Sequence, residues 1–86
     1  MRRTGNIALI DPEQAAAAIL TEEFGYTIIE LDPEWPLEIG DRIEWENGDA
    51  LGFETYENVT RGGSRGEVFV QNHEVTEKAM RMQFGR

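Results

Sequence analysis

The chain has 86 residues, a length that allows one domain with a single small hydrophobic core. It carries 17 acidic and 8 basic residues, for a net charge of -9, and 40% of its residues are hydrophobic, too many for a disordered chain. The absence of cysteine excludes disulfides and zinc–thiolate sites. Because His73 and Ser64 are the only histidine and serine, we expect no hydrolytic triad, and no residue pattern indicates a catalytic centre, a metal site or a cofactor.

The charge is unevenly distributed along the chain. Residues 5–76 hold 16 of the acidic residues and only three arginines, whereas the two ends are basic. An acidic body repels phosphate backbones at long range, so nucleic acid is less favoured as a partner than protein. The acidic surface either keeps the chain soluble or meets a basic partner, and the composition leaves both interpretations open.

Neither a membrane span nor a signal peptide is expected. The longest apolar run, residues 15–20, is far shorter than the about 20 residues that a membrane-spanning helix needs. The basic start at residues 1–3 is not followed at once by an apolar stretch. We therefore expect a cytoplasmic protein.

Short apolar segments separated by turn residues predict an all-β chain. The clearest strand covers residues 25–31, which are β-branched and apolar, and residues 42–46 alternate apolar with charged residues. Further strands are expected over residues 6–10, 53–60 and 67–75, and a short helix over residues 76–82 with Thr76 as its N-cap. Five or six short strands of this spacing predict a small closed or partly open barrel.

The segment after the first strand carries two conflicting signals. Asp11, Pro12 and Gln14 are typical of a helix start, and the four alanines that follow are the best helix formers. Against a helix, the segment is short, lies between two predicted strands and has no polar stripe. We expect a second strand, joined to the first by a tight Asp-Pro turn, because tertiary context overrides local propensity.

Several stretches of the chain resemble a cold-shock domain. Residues 4–19 (TGNIALIDPEQAAAAI) match the spacing of that family's opening, roughly K-G-x-V-K-W-F-N-x-E-K-G-F-G-F-I. Residues 37–46 (LEIGDRIEWE) are similar to its L-x-E-G-x-x-V-x-F-E stretch, and residues 56–60 (YENVT) to its A-x-N-V stretch. The resemblance implies a single OB-like domain, 1–86, with a cold-shock-like core at 4–60. An extra hairpin strand at 61–75 and a basic tail at 76–86 would follow that core.

In function, the resemblance implies binding of single-stranded RNA or DNA by aromatic side chains that stack on bases. The family's two phenylalanines on the second strand fall on Ala16 and Ala18, and its third-strand phenylalanine falls on Ile28. Its first-strand tryptophan falls on Leu9, and its third-strand histidine on Glu30. Because each stacked base contributes about 1–3 kcal/mol, this chain lacks most of the usual affinity.

We therefore expect a non-enzymatic module that acts through protein contacts. Leu9, Ala16, Ala18 and Ile28 would form a small apolar face that needs a cover. A protein partner, a second copy of the chain or the chain's own C-terminal segment would supply it. The C-terminal candidates for that cover are Met80, Met82 and Phe84. Trp35, in a loop between two prolines, either anchors a partner or plugs the end of the barrel.

The alternative function is weak binding of single-stranded nucleic acid. Tyr26 and Tyr56 would supply the stacking rings. Arg61 and Arg65 would supply positive charge from a glycine-rich loop that resembles RGG-type segments. The same loop is also typical of a flexible hairpin. Tyrosines in these positions are also typical of the rim of a barrel.

Overall fold

Six antiparallel strands form a closed barrel in the computed structural model, which describes residues 2–23 and 25–85. The strands are β1 (Arg3–Asp11), β2 (Ala16–Thr21), β3 (Tyr26–Glu30), β4 (Arg42–Trp45), β5 (Gly52–Asn58) and β6 (Ser64–Val75). A 3-10 turn follows β5 at Val59–Arg61, and a helix, α1, covers Glu77–Gln83. The order around the barrel is β1-β2-β3-β6-β5-β4, and β4 pairs with β1 to close it. The expected small all-β barrel with a short C-terminal helix is confirmed.

The segment with conflicting signals is a strand, as expected. β2 pairs with β1 on one side and with β3 on the other, so both edges of its backbone are hydrogen-bonded. In the turn before it, the carboxylate of Asp11 accepts from the backbone N–H of Glu13 and of Gln14. Ala15 then takes a φ of 50°, in the left-handed region, where a right-handed helix cannot continue. Pairing within the barrel thus outweighs the helix propensity of the alanines.

β2 and β3 bury side chains on both of their faces, and two hydrophobic cores result. Inside the barrel, Trp45 and Tyr56 stack with ring centroids 4.5 Å apart. Around them pack Ile7, Ala17, Ile19, Ile29, Trp35, Ile43, Val68 and Val70. The second core comprises Ala16, Ala18, Tyr26, Ile28, Val75, Met80 and Phe84. Because neighbouring residues of β2 and β3 alternate between the two cores, the second core lies on the outer face of these strands.

The loop between β3 and β4 inserts Trp35 into the inner core. Trp35 is only 6% exposed, and its indole Nε1 donates to the carbonyl oxygen of Ser64 at 3.2 Å. Gly66 of β6 makes room for it, since a Cβ at that position would lie 2.3 Å from the indole ring. Trp35 therefore plugs the barrel, which is one of the two interpretations that the sequence allows. Its prediction as an exposed interaction anchor is wrong, because the ring packs against the backbone of β6.

The last strand is an integral part of the barrel. The resemblance predicts residues 61–75 as an addition to a core at residues 4–60. In the structure they contribute β6, which pairs with β5 along the whole length of that strand and with β3 on its other side. Without β6 the barrel would be open between β3 and β5.

The C-terminal helix begins where the sequence predicts. The Oγ1 of Thr76 accepts from the backbone N–H of Ala79 at 3.1 Å, which confirms Thr76 as the N-cap. Met80 and Phe84 are 3% and 5% exposed in the second core, whereas Met82 is 74% exposed. Two of the three side chains expected as an internal cover therefore form it. Arg86, the end of the predicted basic tail, lies outside the described residues.

Candidate functional site

The apolar face predicted as an interaction surface is covered by the chain itself. Ala16, Ala18 and Ile28 are at most 2% exposed, beneath α1 and the end of β6. Leu9 is partly buried against the same cluster. The prediction of an accessible face is therefore wrong, because the small alanine side chains let the helix pack directly on the strands. Internal cover, one of the alternatives left open, is what the structure has.

Neither tyrosine predicted to stack on bases presents its ring to solvent. Tyr56 is fully buried against Trp45 in the inner core. Tyr26 is 9% exposed in the second core, and its hydroxyl donates to a carboxylate oxygen of Glu77 at 3.5 Å. Burial raises the pKa of the Tyr56 hydroxyl, and the nearby Glu54 carboxylate raises it further. The prediction of these rings as nucleic-acid contacts is wrong, because Tyr56 is buried in the inner core and Tyr26 in the second core.

The loop arginines differ from each other. The Nε of Arg61 donates to a carboxylate oxygen of Asp41 at 2.7 Å, and its terminal nitrogen pairs with Glu38. Burial alone would raise the pKa of Asp41, but hydrogen bonds from Asn58 and Arg61 outweigh it and hold the pKa below its usual value. Arg61 is thus part of a structural network. Arg65 stays on the surface, with its side chain 75% exposed.

An exposed aromatic pair lies on the outer face of β5 and β6. Phe53 and Phe69 are register partners, and their rings meet edge to face with centroids 5.1 Å apart. Phe53 is 71% exposed and Phe69 is 38% exposed, and no other aromatic residue is exposed among residues 2–23 and 25–85. Exposed aromatic side chains grouped in this way are typical of interaction sites.

Carboxylates flank the aromatic pair. Glu30 of β3 is the register partner of Phe69 on the side away from Phe53, so the three residues form one row across the sheet. Glu67 lies two residues before Phe69 and therefore on the same face. A shallow depression beside the pair is also lined by Asp32. The two aromatic rings are thus surrounded by negatively charged side chains.

On the other side of Phe53, the strands β4 and β5 separate. Their register pairs are Ile43 with Asn58 and Glu44 with Glu57, so residues 52–56 are paired with β6 but not with β4. The gap forms a groove of about 500 Å³, to which Phe53 contributes one wall. We name it the acidic groove after its carboxylates, Glu44, Glu46, Glu54, Glu57 and Glu67.

The arginines of the chain neutralise part of the acidic groove. Arg2 pairs with Glu44 at 2.7 Å and with Glu46 at 3.3 Å. The hydrogen bond from Arg2 holds the pKa of Glu44 below its usual value, and a second one from Arg42 adds to this effect. Arg65 is the other arginine in the lining. Five carboxylates against two arginines leave the groove negatively charged.

This site is not among the surfaces expected from the sequence. Its signal is the alternation in β6, where Val68 and Val70 are buried and the positions between and around them are exposed. An outward Phe69 between the outward residues Glu67 and Gln71 is unusual for a solvent-facing strand position. That Phe53 meets it depends on the register of β5 with β6, which the sequence does not specify.

The comparisons with known proteins add no family to these observations: no protein family, no curated protein and no solved structure matches the chain. In the described part of the chain, no helix is long and apolar enough to cross a membrane. Within residues 2–23 and 25–85, no three histidine or carboxylate side chains are grouped as metal ligands.

Proposed function

We propose that this chain is a small non-enzymatic interaction module of OB-like, cold-shock-like architecture, and that it binds a basic partner protein through Phe53, Phe69 and the acidic groove. The observation that carries the proposal is the exposed aromatic pair set among carboxylates. Exposed aromatic side chains supply apolar contact area at the centre of a protein interface. The charged residues around them favour partners of the opposite charge.

The chemistry of the surface favours a cationic partner. Arginine and lysine side chains pack against phenylalanine rings, and each such contact contributes about 0.5–1 kcal/mol at an exposed site. The carboxylates of the acidic groove attract the same side chains and speed their approach. A phosphate backbone would be repelled by those carboxylates, and its bases would meet two phenylalanines instead of a continuous stacking surface.

Fluorescence anisotropy with a labelled arginine- and valine-rich peptide of about ten residues tests the proposal. We expect Phe53→Thr to weaken binding by about tenfold, because the substitution removes the exposed ring and keeps a strand-forming residue. The matched control is Ile39→Thr, which removes an equally exposed apolar side chain, 69% accessible, from a loop away from the site and should leave binding unchanged.

Two results would contradict the proposal. The first is that the basic peptide fails to bind, or binds the two variants equally. The second is that a single-stranded oligonucleotide binds more tightly than the peptide at the same salt concentration.

A further inference from the structure

Within residues 2–23 and 25–85, no strand pairs with the β4-facing edge of β5 over residues 52–56. We propose that the basic partner binds there as an extended segment that adds a strand to the barrel. This inference rests on the proposed function and specifies the form in which the partner is bound. We name the β4-facing side of residues 52–56 the free edge.

In the part of the chain that the structure describes, the backbone groups on the free edge have no strand to pair with. In an antiparallel strand the N–H and C=O groups point alternately to the two sides. Residues 52–56 satisfy one side by pairing with β6, whereas the register with β4 ends at Glu57. An unpaired strand edge is a template for another strand, and peptide segments bind other proteins in this way.

Three side-chain contacts involve the loop between β4 and β5. At the turn that follows β4, the indole Nε1 of Trp45 donates to the carbonyl oxygen of Gly48 at 3.1 Å. His73 Nε2 lies 2.9 Å from the carbonyl oxygen of Ala50, and the ring therefore fixes the end of the same loop. The amide of Asn47 reaches across to Glu54 at 2.9 Å, a contact that a basic side chain of the partner would replace.

The side chains around the free edge specify a sequence pattern for the partner. Phe53 and Thr55 point outward on β5, and an added strand would alternate in the same way. An outward side chain opposite Phe53 would lie beside that ring, and the next one, opposite Thr55, would lie next to Glu57 and on the side of the groove lined by Glu46. The favoured segment therefore carries an apolar residue and an arginine or lysine two positions apart.

Alternate N-methylation of the peptide tests whether backbone hydrogen bonds are used. Two versions of the arginine- and valine-rich peptide carry backbone methyl groups at the odd or at the even positions, with identical side chains. Because only one set of N–H groups faces β5, we expect one version to bind at least about tenfold more weakly and the other to bind like the parent. Amide hydrogen exchange should slow at alternate residues of the free edge when the parent peptide is bound.

The outcomes separate this inference from the proposed function. If the parent peptide binds and Phe53→Thr weakens it, but both methylated versions behave alike and the free edge gains no protection, the strand mode is overturned while the function stands. If the parent peptide does not bind, both fail. Light scattering of the free chain is measured first, since a dimer that Thr55→Pro converts to monomer would assign the free edge to a second copy and overturn the inference.

Discussion

At the scale of single residues, Trp35 and Gly66 form a pair that neither local sequence predicts. The indole takes the space that a side chain at Gly66 would occupy, and its N–H satisfies a backbone carbonyl at the start of β6. The sequence leaves open whether this tryptophan between two prolines is an exposed anchor or a plug, since nothing near it indicates contact with a strand residue 31 positions later. The contact is visible only after β6 is placed in the barrel.

Replacement of Trp35 measures that contact. We expect Trp35→Ala to lower the free energy of unfolding by about 3–5 kcal/mol, because it leaves a cavity in the inner core. Trp35→Phe should cost less, since the ring volume is mostly kept and chiefly the hydrogen bond to Ser64 is lost. Urea denaturation followed by circular dichroism gives both values. A loss below about 1 kcal/mol for the alanine variant would place the side chain at the surface.

The carboxylate of Asp41 makes the free energy of unfolding depend on pH in the acidic range. Its pKa lies below the ordinary value of 3.8 when the chain is folded, so its contribution to stability is present above that value and is lost as the pH falls through the folded pKa. We expect Asp41→Asn to lower the free energy of unfolding at pH 7 by about 1–3 kcal/mol and to flatten its decline below about pH 4.

Glu38 provides the matched control for Asp41. Its side chain is 75% exposed although it pairs with the same arginine, so Glu38→Gln should change the stability and its pH dependence little. Urea denaturation from pH 3 to pH 7 compares the two variants. Equal acid profiles for Asp41→Asn and the parent chain would contradict the assigned role of Asp41.

At the scale of elements, the sequence predicts the position of strands better than their partners. Alternation and turn residues are local, so the strand at residues 25–31 and the helix capped by Thr76 are predicted correctly. The packing of α1 on β2 and β3 and the separation of β4 from β5 depend on residues far apart in the chain. No local pattern encodes these contacts, which is why the expected binding face and the actual exposed face differ.

Two substitutions near the C-terminal end of α1 test whether the helix packs on the strands. We expect Phe84→Ala to lower the free energy of unfolding by about 3 kcal/mol, because Phe84 is buried in the second core. Met82→Ala should change it by less than about 0.5 kcal/mol, because Met82 is 74% exposed. Thermal or urea unfolding distinguishes the two, and comparable losses would mean that α1 is not packed as described.

At the scale of the whole molecule, composition predicts the sign of the surface charge but not where on the surface that charge is concentrated. The excess of acidic residues is plain from the sequence, and it repels the phosphate backbone of a nucleic acid. Its concentration around Phe53 arises because β4, β5 and β6 each direct carboxylates to one side of the barrel. Arg2, from the basic start of the chain, pairs with two of them, so the charge separation along the sequence is partly cancelled in space.

The cover that α1 places over β2 and β3 constrains how this chain can change. Ala16 and Ala18 carry only methyl groups, which leave space on the strands for the side chains of the helix region. A variant without the helix would need bulkier side chains at these two positions to cover the strands. Larger side chains at the same positions in the present chain would clash with the packed helix. Substitutions on the two sides of this contact, in β2 and in α1, are therefore coupled.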